Sequence, residues 1–415
     1  MKEARTQPIT YEMVCNAWQE VKGGGKSAGV DGVSLKAFEA DLSGNLYKVW
    51  NRMASGSYFP PAVREAEIPK DGGGTRTLGI PTVGDRVAQM VVKMHLEPGI
   101  DPLFHDGSFG YRPGRNQHGA LDRVLFHCRR SDWLIDLDIK AFFDEIDHGL
   151  LMRALERHTT EKWVLMYVRR WLCAPMERLD GKLVERNMGT PQGGVISPLL
   201  ANLFLHYAFD MWMQKHHPGL PFVRFADDIV VHCRTEAEAR ATLGAIESRL
   251  GECKLRLHPD KTKIVHCKRG NSRDPHPHVS FDFLGFTFKP GKQRRRDNGK
   301  AFLGFNPVLS RKSFTRMVGD LEELHILKMS DKTLGDIAQA LNPMLRGWLR
   351  YYNWAGPRTL GNLFRNVNGR LVKWAMRKHK KLRSSARKAY RWVLCEARDK
   401  PRLFAHWNTS AGKPG

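Results

Sequence analysis

The sequence predicts an α+β fold up to about residue 290 and an all-α fold in the remainder. In the first part, apolar runs typical of strands, WLIDLDI, FVRFADDIVVHC and FDFLGFTF, alternate with longer stretches of helical periodicity. In the second part the strand signal fades beyond about Phe305, and helical segments rich in aromatic residues and cations follow. The chain of 415 residues is long enough for two or three domains.

The predicted elements follow one another in a regular order. An amphipathic pattern between Tyr11 and Val21 predicts the first helix, and a second helix runs to about Met53 after the loop KGGGKSAGVDGVS. The strand-rich region begins with IPKDGGGTRTLGIP, whose glycines predict a flexible loop, with a solvent-exposed hairpin as the alternative to a ligand-binding loop. The basic stretch KPGKQRRRDNGKA is interpreted as a linker, and the last segment, PRLFAHWNTSAGKPG, is expected to end in frayed residues.

The net charge indicates the class of partner. The chain carries 67 Lys and Arg against 43 Asp and Glu, and the resulting formal charge of +24 favours nucleic acid over an anionic membrane. Its seven cysteines include no Cys-x-x-Cys pair, which argues against a disulfide framework and a structural zinc site. Because no apolar leader or membrane-length apolar run occurs, we expect a soluble cytoplasmic protein without a membrane partner.

Two groups of aspartates interrupt apolar runs. In WLIDLDI, alternation puts Asp136 and Asp138 on one face of a strand, and in FVRFADDIVVHC the pair Asp227 and Asp228 lies in the middle of the run. Phosphoryl transfer by two metals needs carboxylates that converge from separate elements. The residues alone leave two interpretations open, a metal site or ordinary turns and salt-bridged surface strands.

Seven segments occur in the order of the sequence blocks of a reverse transcriptase. They are IPKDGGGTRTLGIPTVGDRVAQ, SFGYRPGRNQHGAL, DLDIKAFFDEIDH, GTPQGGVISPLLANLFLHYAFD, RFADDIVV, LHPDKTKI and FLGF. They span most of residues 20–290 and most resemble the enzymes encoded by bacterial group II introns, and NPMLRGWLRYYNWA resembles the maturase thumb of that family. Since no HNH-type endonuclease pattern follows, the chain is similar to the compact members, and we expect no second-strand cleavage.

The resemblance implies a right-hand polymerase, with fingers and palm built on a mixed or antiparallel sheet and followed by an all-α thumb. The implied domains are an N-terminal extension with fingers, a catalytic core of fingers and palm, a basic linker, a thumb (maturase domain X) and a short basic extension that binds DNA or RNA. Their expected bounds are 1–80, 81–290, 291–305, 306–380 and 381–415.

The same resemblance implies the catalytic residues. On the family's pattern Asp138 and Asp227 are the main ligands of two Mg²⁺ ions, for which Mn²⁺ can substitute, and Asp228 completes the acidic cluster. Lys261 matches a lysine near the leaving pyrophosphate, where it would act as a general acid. The alternative for Lys261, a lysine that simply faces solvent, stays open.

The nucleotide-binding residues are implied in the same way. Lys70 and Arg76 flank the glycine-rich loop and match cations that hold the triphosphate of a dNTP, where arginine offers bidentate contacts. Phe143 matches an aromatic residue that excludes a 2′-hydroxyl and so selects dNTPs, although a core phenylalanine is the alternative. Gln192 matches the residue that touches template and nucleotide.

Template and primer contacts are expected from a third group. Gly193 and Gly194 would allow a close approach of backbone to the nucleic acid. Phe225 stands where the family's Tyr-Ala-Asp-Asp turn usually has tyrosine, so this chain keeps the ring and lacks the hydroxyl. Because that hydroxyl is not a metal ligand, we expect activity to survive its absence.

The implied function is that of an RNA-directed DNA polymerase that copies group II intron RNA into cDNA for retrohoming and assists splicing as a maturase. Its partners would be the intron RNA, a DNA target or primer at the nucleoid, and dNTPs, with a dimer left open. The alternatives are a free-standing relative in DNA repair or phage defence and an RNA-binding maturase active in splicing alone. A nucleotidyl cyclase with a related palm is disfavoured by the basic C-terminal region.

Overall fold

A computed structural model describes residues 6–69, 74–267, 276–294, 299 and 301–414 of the chain. The chain forms two compact units, Met1–His266 and Cys267–Gly415. The predicted fold class is confirmed, because the first unit combines sheets and helices and the region after Leu309 is helical.

The first unit contains eleven α-helices among its described residues. Most begin at a Ser, Thr, Asp or Asn side chain that accepts a hydrogen bond from the first turn, as Thr10, Thr82 and Asp147 do. The helices are α1 (Tyr11–Val21), α2 (Leu35–Ala40), α3 (Leu42–Ala54), α4 (Val83–Ile100), α5 (Gln117–Cys128), α6 (Phe142–Glu145), α7 (His148–Leu155), α8 (Lys162–Cys173), α9 (Ser197–Leu205), α10 (Met211–His216) and α11 (Glu236–Glu252).

Two four-stranded sheets lie among these helices. In the first, the strand order is β2-β1-β4-β5, and β1 and β2, which flank the glycine-rich stretch, pair as an antiparallel hairpin. In the second, the order is β6-β7-β3-β8 and all neighbours are antiparallel. The strands are β1 (Val63–Pro69), β2 (Thr75–Ile80), β3 (Trp133–Asp138), β4 (Met176–Glu177), β5 (Leu183–Val184), β6 (Phe222–Phe225), β7 (Asp228–Cys233) and β8 (Lys263–His266).

Strand β3 occupies an inner position of the second sheet and carries the predicted alternation. Ile135 and Leu137 on one face are buried, whereas Asp136 and Asp138 on the other are half-buried. The apolar side chains of β3 and β7 join the core formed with α4, α8 and α9. This burial anchors the strands, so the aspartates at their ends are held by a rigid scaffold.

The second unit begins with a three-stranded antiparallel sheet in the order β11-β10-β9. Its strands bury aromatic side chains; Phe281 stacks on Phe288 with ring centroids 5.0 Å apart. Helices with apolar stripes follow the sheet. These elements are β9 (Phe281–Phe283), β10 (Phe286–Arg294), β11 (Ala301–Leu309), α12 (Arg311–Glu323), α13 (Leu334–Tyr352), α14 (Gly361–Lys378) and α15 (Ala386–Asp399).

The interpretation of residues 291–305 as a linker is wrong for most of that stretch. Strand β10 extends to Arg294 and pairs with β11 from Ala301 onward, so residues 291–294 and 301–305 belong to one antiparallel hairpin. Basic and glycine-rich composition suggested a linker, but long charged side chains are tolerated on strands whose outer face meets solvent. Residues 295–298 lie outside the described part of the chain.

The expectation of a frayed C-terminal segment is also wrong. Phe404 and Trp407 are buried, and the amides of two helix residues hold the segment by its backbone. Asn342 donates to the carbonyl of Leu403 and accepts from the amide of Ala405, at 2.9 and 2.8 Å. Asn368 donates to the carbonyl of Gly412 at 3.1 Å. Two aromatic anchors and three hydrogen bonds outweigh the entropy that favours fraying.

None of the helices in the described part of the chain combines the length and the apolar composition that a membrane crossing requires.

A buried histidine predicts that the first unit loses stability in acid. His232 on β7 is fully buried next to His127, neither of its ring nitrogens has a partner among the described residues, and burial lowers its pKa to about 3. Because an unfolded histidine titrates near 6.5, the free energy of unfolding decreases as the pH falls from about 6.5 towards 3. The decrease at pH 5 is about 2 kcal/mol.

The variant His232→Leu is therefore expected to have a smaller difference in free energy of unfolding between pH 7.5 and pH 5 than the wild type. Denaturant titrations at the two pH values measure this difference. The same titrations on His216→Gln, which changes a solvent-exposed histidine, should reproduce the wild-type difference. An unchanged difference in His232→Leu would contradict the prediction.

Candidate active site

The predicted carboxylates meet at one end of the second sheet. Asp138 is the last residue of β3, Asp228 is the first residue of β7, and the two are direct partners in the antiparallel register. Asp227 occupies the turn that joins β6 to β7. The sequence thus predicted both the strand and the hairpin, and the structure brings the three aspartates together.

The hairpin that carries Asp227 is tightly built. Phe225 pairs with Asp228, so Ala226 and Asp227 form a two-residue turn, in which Ala226 has a φ of 58°. A positive φ is unfavourable for alanine and persists only where the surroundings impose it. Gly110 lies directly against this turn, since a Cβ at residue 110 would come within 2.4 Å of the amide nitrogen of Ala226.

A buried ion pair supports the hairpin that carries Asp227. The guanidinium of Arg224 donates to both carboxylate oxygens of Asp210 at 2.8 and 2.6 Å, and both side chains are fully buried. Arg224 also donates to the side-chain oxygen of Asn202 at 2.8 Å and to the carbonyl of Ala226 at 3.2 Å. Asn202 in turn donates to the carbonyl of Gly110 at 2.7 Å. The network ties the turn to helix α9 and to the π-helical segment His206–Asp210 that follows it.

Crowded negative charge characterises the site. Loss of hydration and the charges of Asp227, Asp138 and Asp136 raise the pKa of Asp228 to about 7, even though its side chain still reaches solvent. Loss of hydration, followed by the charge of Asp138, also raises the pKa of Asp227. Carboxylates that repel one another in this way favour a cation among them.

Two predicted cations lie close to these carboxylates. Lys261 donates to both oxygens of Asp138 at 3.2 and 3.1 Å, so the structure shows an ion pair and not an unpaired lysine. Arg76 on β2 is exposed, and its charge opposes the raised pKa of Asp227. Lys70, the other predicted cation, lies outside the described residues.

Tyr111 is a site residue that the sequence analysis missed. Its ring lies 6.4 Å from that of Phe225, and burial together with the charges of Asp227 and Asp228 raises the pKa of its phenol. Its φ of 56° is a second unusual backbone conformation beside the hairpin. The local sequence does not indicate that this loop tyrosine belongs to the site, because only the fold brings it next to the turn.

The segment with Gln192 forms a second cluster, next to Phe143. Thr190 donates its backbone amide to the carbonyl of Phe143 at 2.7 Å, and Gly79 on β2 donates to the carbonyl of Gln192 at 2.9 Å. Strand β2 therefore carries Arg76 near the aspartates and Gly79 next to this segment. Phe143 is partly buried against the core, so the structure supports a packing role and leaves its sugar-contacting role a prediction.

The two glycines of this segment face other parts of the protein. A Cβ on Gly193 would lie 2.8 Å from the carbonyl oxygen of Gly79, and a Cβ on Gly194 would lie 2.5 Å from the hydroxyl of Ser197. Close packing within the protein thus accounts for both glycines without a ligand. Their predicted contact with template or primer stays a prediction.

The donor set fits a hard divalent cation, although the protein supplies only part of a coordination sphere. Among the described residues, no three His, Cys, Asp or Glu side chains are grouped closely enough to hold a metal by themselves. Ions such as Mg²⁺ commonly take one or two carboxylates and complete their octahedron with water and substrate phosphates. Asp138, Asp227 and Asp228 offer oxygen ligands of this type.

Comparison with known proteins identifies the two parts of the chain. Residues 68–288, more than half of the chain, match the family described as "Reverse transcriptase (RNA-dependent DNA polymerase)". Residues 314–392 match the family described as "Group II intron, maturase-specific domain". The first match includes every candidate site residue, and the second lies within the helices of the second unit.

Among curated relatives, Protein YkfC of Escherichia coli (strain K12) is 32% identical over 289 residues, which cover 60% of this chain and 74% of YkfC. The group II intron-encoded protein LtrA of Lactococcus lactis subsp. cremoris is 32% identical over 182 residues, 44% of this chain but only 30% of LtrA. Among solved structures, telomerase from Candida albicans in complex with a fragment of telomeric RNA has a TM-score of 0.44 and 13% identity, over 89% of this chain and 66% of its own. A likeness this weak supports no argument.

The aspartate cluster lies in the part of the chain that matches the reverse transcriptase family, and the helical part that follows matches a maturase-specific domain. The chain therefore belongs to the reverse transcriptase (RNA-dependent DNA polymerase) family and carries a group II intron maturase-specific domain.

Proposed function

We propose that the protein is the reverse transcriptase and maturase of a group II intron, which copies the intron RNA into cDNA for insertion at a DNA target and assists splicing of that RNA. One observation carries this proposal. Asp138, Asp227 and Asp228 meet at the end of one antiparallel sheet, in a chain whose two parts match polymerase and maturase families. The site of action would be the bacterial cytoplasm, at the nucleoid when DNA is bound.

We assign the divalent ions to Asp138 and Asp227, with Asp228 completing the cluster, Mg²⁺ as the usual ion and Mn²⁺ as a substitute. When bound, such ions activate the primer 3′-hydroxyl and offset the charge that develops on the phosphates. The protein holds the carboxylates on hydrogen-bonded strands and a braced turn, so their mutual repulsion cannot move them apart.

The cations around the aspartates could bind the phosphates of a nucleoside triphosphate. The exposed guanidinium of Arg76 can donate two hydrogen bonds to phosphate oxygens. Lys261 carries its ammonium group beside Asp138, where we propose that it donates a proton to the pyrophosphate as it leaves. Gln192 lies two residues after Thr190, whose backbone amide donates to the carbonyl of Phe143. The side chains of Gln192 and Phe143 would both contact the incoming nucleotide.

A substitution of Phe143 tests the nucleotide site. In Phe143→Val the smaller side chain is expected to admit a 2′-hydroxyl, so that the preference for dNTPs over rNTPs, measured as the ratio of kcat/KM values, falls by about a hundredfold. Single-nucleotide incorporation on an RNA template measures both values. The matched control is Phe142→Leu, since Phe142 is the buried neighbour. Sugar discrimination that is equal in the two variants and the wild type would contradict the role of Phe143.

The second unit supports the maturase role. From Arg365 to Gly415 the sequence has fifteen Lys and Arg against two acidic residues. Helices α14 and α15 carry most of these cations, and their apolar stripes are buried, which leaves the charged faces exposed. Such faces suit the phosphates of a folded RNA.

Two experiments test the proposed function. Purified protein should extend a primer on an RNA template in Mg²⁺, and it should accelerate splicing of the RNA that flanks its gene. Absence of primer extension would overturn the polymerase assignment. Extension without any ribozyme in the flanking DNA would instead favour a free-standing reverse transcriptase.

A further inference from the structure

A buried glutamine from another helix holds the segment that carries Gln192. Gln89 on α4 accepts hydrogen bonds through its side-chain oxygen from the backbone amides of Val195 and Ile196, at 2.8 and 3.3 Å. Helix α9 begins directly afterwards and has no side-chain cap of its own. Gln89 therefore satisfies amides that a helix start would otherwise leave without a partner.

A buried carboxylate in turn fixes Gln89. The side-chain nitrogen of Gln89 donates to Asp85 Oδ2 at 2.9 Å, and both residues are almost fully buried. The other oxygen of Asp85 accepts from the hydroxyl of Tyr58 at 2.9 Å and from the indole of Trp171 at 2.8 Å. Every polar atom in this chain of contacts thus has a partner, as buried polar groups require.

The carboxylate determines which way the glutamine amide points. A charged Asp85 can only accept, so it selects the NH₂ group of Gln89 and directs the oxygen of Gln89 towards Val195. The indole of Trp171 can only donate, so an asparagine at residue 85 would keep its oxygen on that side and present its NH₂ group to the NH₂ group of Gln89. Either that contact is lost or the amide flips and turns its donors towards the amide of Val195.

Other hydrogen bonds hold the upstream side of the segment, and the hydroxyl of Thr190 donates to that of Ser197 at 2.7 Å. Gly189 and Thr190 donate to the carbonyls of Ile146 and Phe143, and the carbonyl of Gln192 accepts from Gly79. After Gln192, the backbone amide of Gly194 bonds within the segment, to Pro191. The contact with Gln89 ties the downstream end of the segment to helix α4.

We propose that Asp85 and Gln89 are positioning residues for nucleotide binding, which hold Val195 and Ile196 so that Gln192 meets the incoming dNTP in the correct geometry. This inference rests on the proposed polymerase function and on the contact of Gln192 with the nucleotide. Neither Asp85 nor Gln89 touches the substrate, because both are enclosed by protein. Their effect is on the affinity for dNTP and not on the chemical step.

The test is steady-state incorporation of single dNTPs by the full-length protein. Gln89→Met keeps the volume of the side chain and removes its three hydrogen bonds, and Asp85→Asn places a donor where a carboxylate oxygen accepted from Gln89. Each variant should raise the KM for dNTP by about tenfold and change kcat by less than about threefold, while the affinity for the primer and template stays unchanged. Tyr58→Phe is the matched control, because it removes one hydrogen bond to Asp85 without affecting Gln89, and it should keep the wild-type KM.

A double variant tests the orientation directly. In Asp85→Asn with Gln89→Glu, the NH₂ group of the new asparagine donates to the new glutamate, whose other oxygen accepts from Val195 and Ile196. The KM for dNTP should return to within about threefold of the wild type. Melting temperatures show whether Gln89→Met folds. If it does not, the double variant still tests the proposal, because it restores every hydrogen bond.

The outcomes separate the two proposals. If the wild type does not extend primers, the proposed function is wrong. If the wild type extends primers while folded Gln89→Met and Asp85→Asn keep its KM for dNTP, or if the double variant stays as impaired as Asp85→Asn, the positioning role is wrong.

Discussion

Replacement of Asp227 by asparagine is expected to lower the rate of primer extension on an RNA template by at least about a thousandfold. The substitution keeps the size of the side chain and removes one of the carboxylates that converge at the end of β3 and β7. Because the pKa of Asp227 is raised by lost hydration and by Asp138, removal of its charge relieves repulsion and should not destabilise the fold. Rates of extension and melting temperatures of the purified variant measure both effects.

Asp136→Asn is the matched control. Asp136 lies on the same face of β3 as Asp138 and forms an ion pair with Lys263 at 3.4 Å. Asp136 therefore contributes negative charge near the cluster, but it lies within the strand and not at its end. We expect its substitution to reduce extension by less than about tenfold. Equal losses in the two variants would show that overall charge, and not ligation by Asp227, governs activity.

Replacement of Arg224 by methionine is expected to destabilise the first unit by about 3 to 5 kcal/mol. The change leaves Asp210 fully buried without the guanidinium that holds both its oxygens, and it removes the contact with the carbonyl of Ala226. Loss of that contact also frees the strained turn that carries Asp227. Denaturant unfolding measures the stability, and primer extension below the melting temperature reports the state of the turn.

Two further variants make this prediction specific. Arg240→Met breaks the exposed pair of Arg240 with Glu236, and it should cost less than about 1 kcal/mol. Arg224→Met combined with Asp210→Leu removes both buried charges, and it should be more stable than Arg224→Met alone. If Arg224→Met unfolds at the same denaturant concentration as Arg240→Met, the ion pair does not brace the hairpin.

Much of the site was predictable because its residues stand out from apolar runs. Asp136 and Asp138 alternate with apolar residues, and Asp227 and Asp228 interrupt another apolar run, so a strand and a hairpin that carry carboxylates followed from local sequence. The run WLIDLDI placed Asp138 inside its strand, whereas the structure makes it the last residue of β3. The same local logic failed for residues 291–305, where composition suggested a linker although backbone pairing with β11 holds most of the stretch. Composition reports solvation, and it does not report a pairing partner.

The local sequence of this protein specifies the strands, the tight hairpin and the acidic residues that interrupt them, since each of these depends on neighbours within a few positions. The contacts that brace them depend on residues far apart in the chain. Arg224 meets Asn202 and Gly110 meets Ala226 only after folding, and Gln89 reaches Val195 from another helix. Such contacts depend on long-range packing, in which buried polar groups must find partners wherever the fold brings them, and no local pattern encodes that pairing.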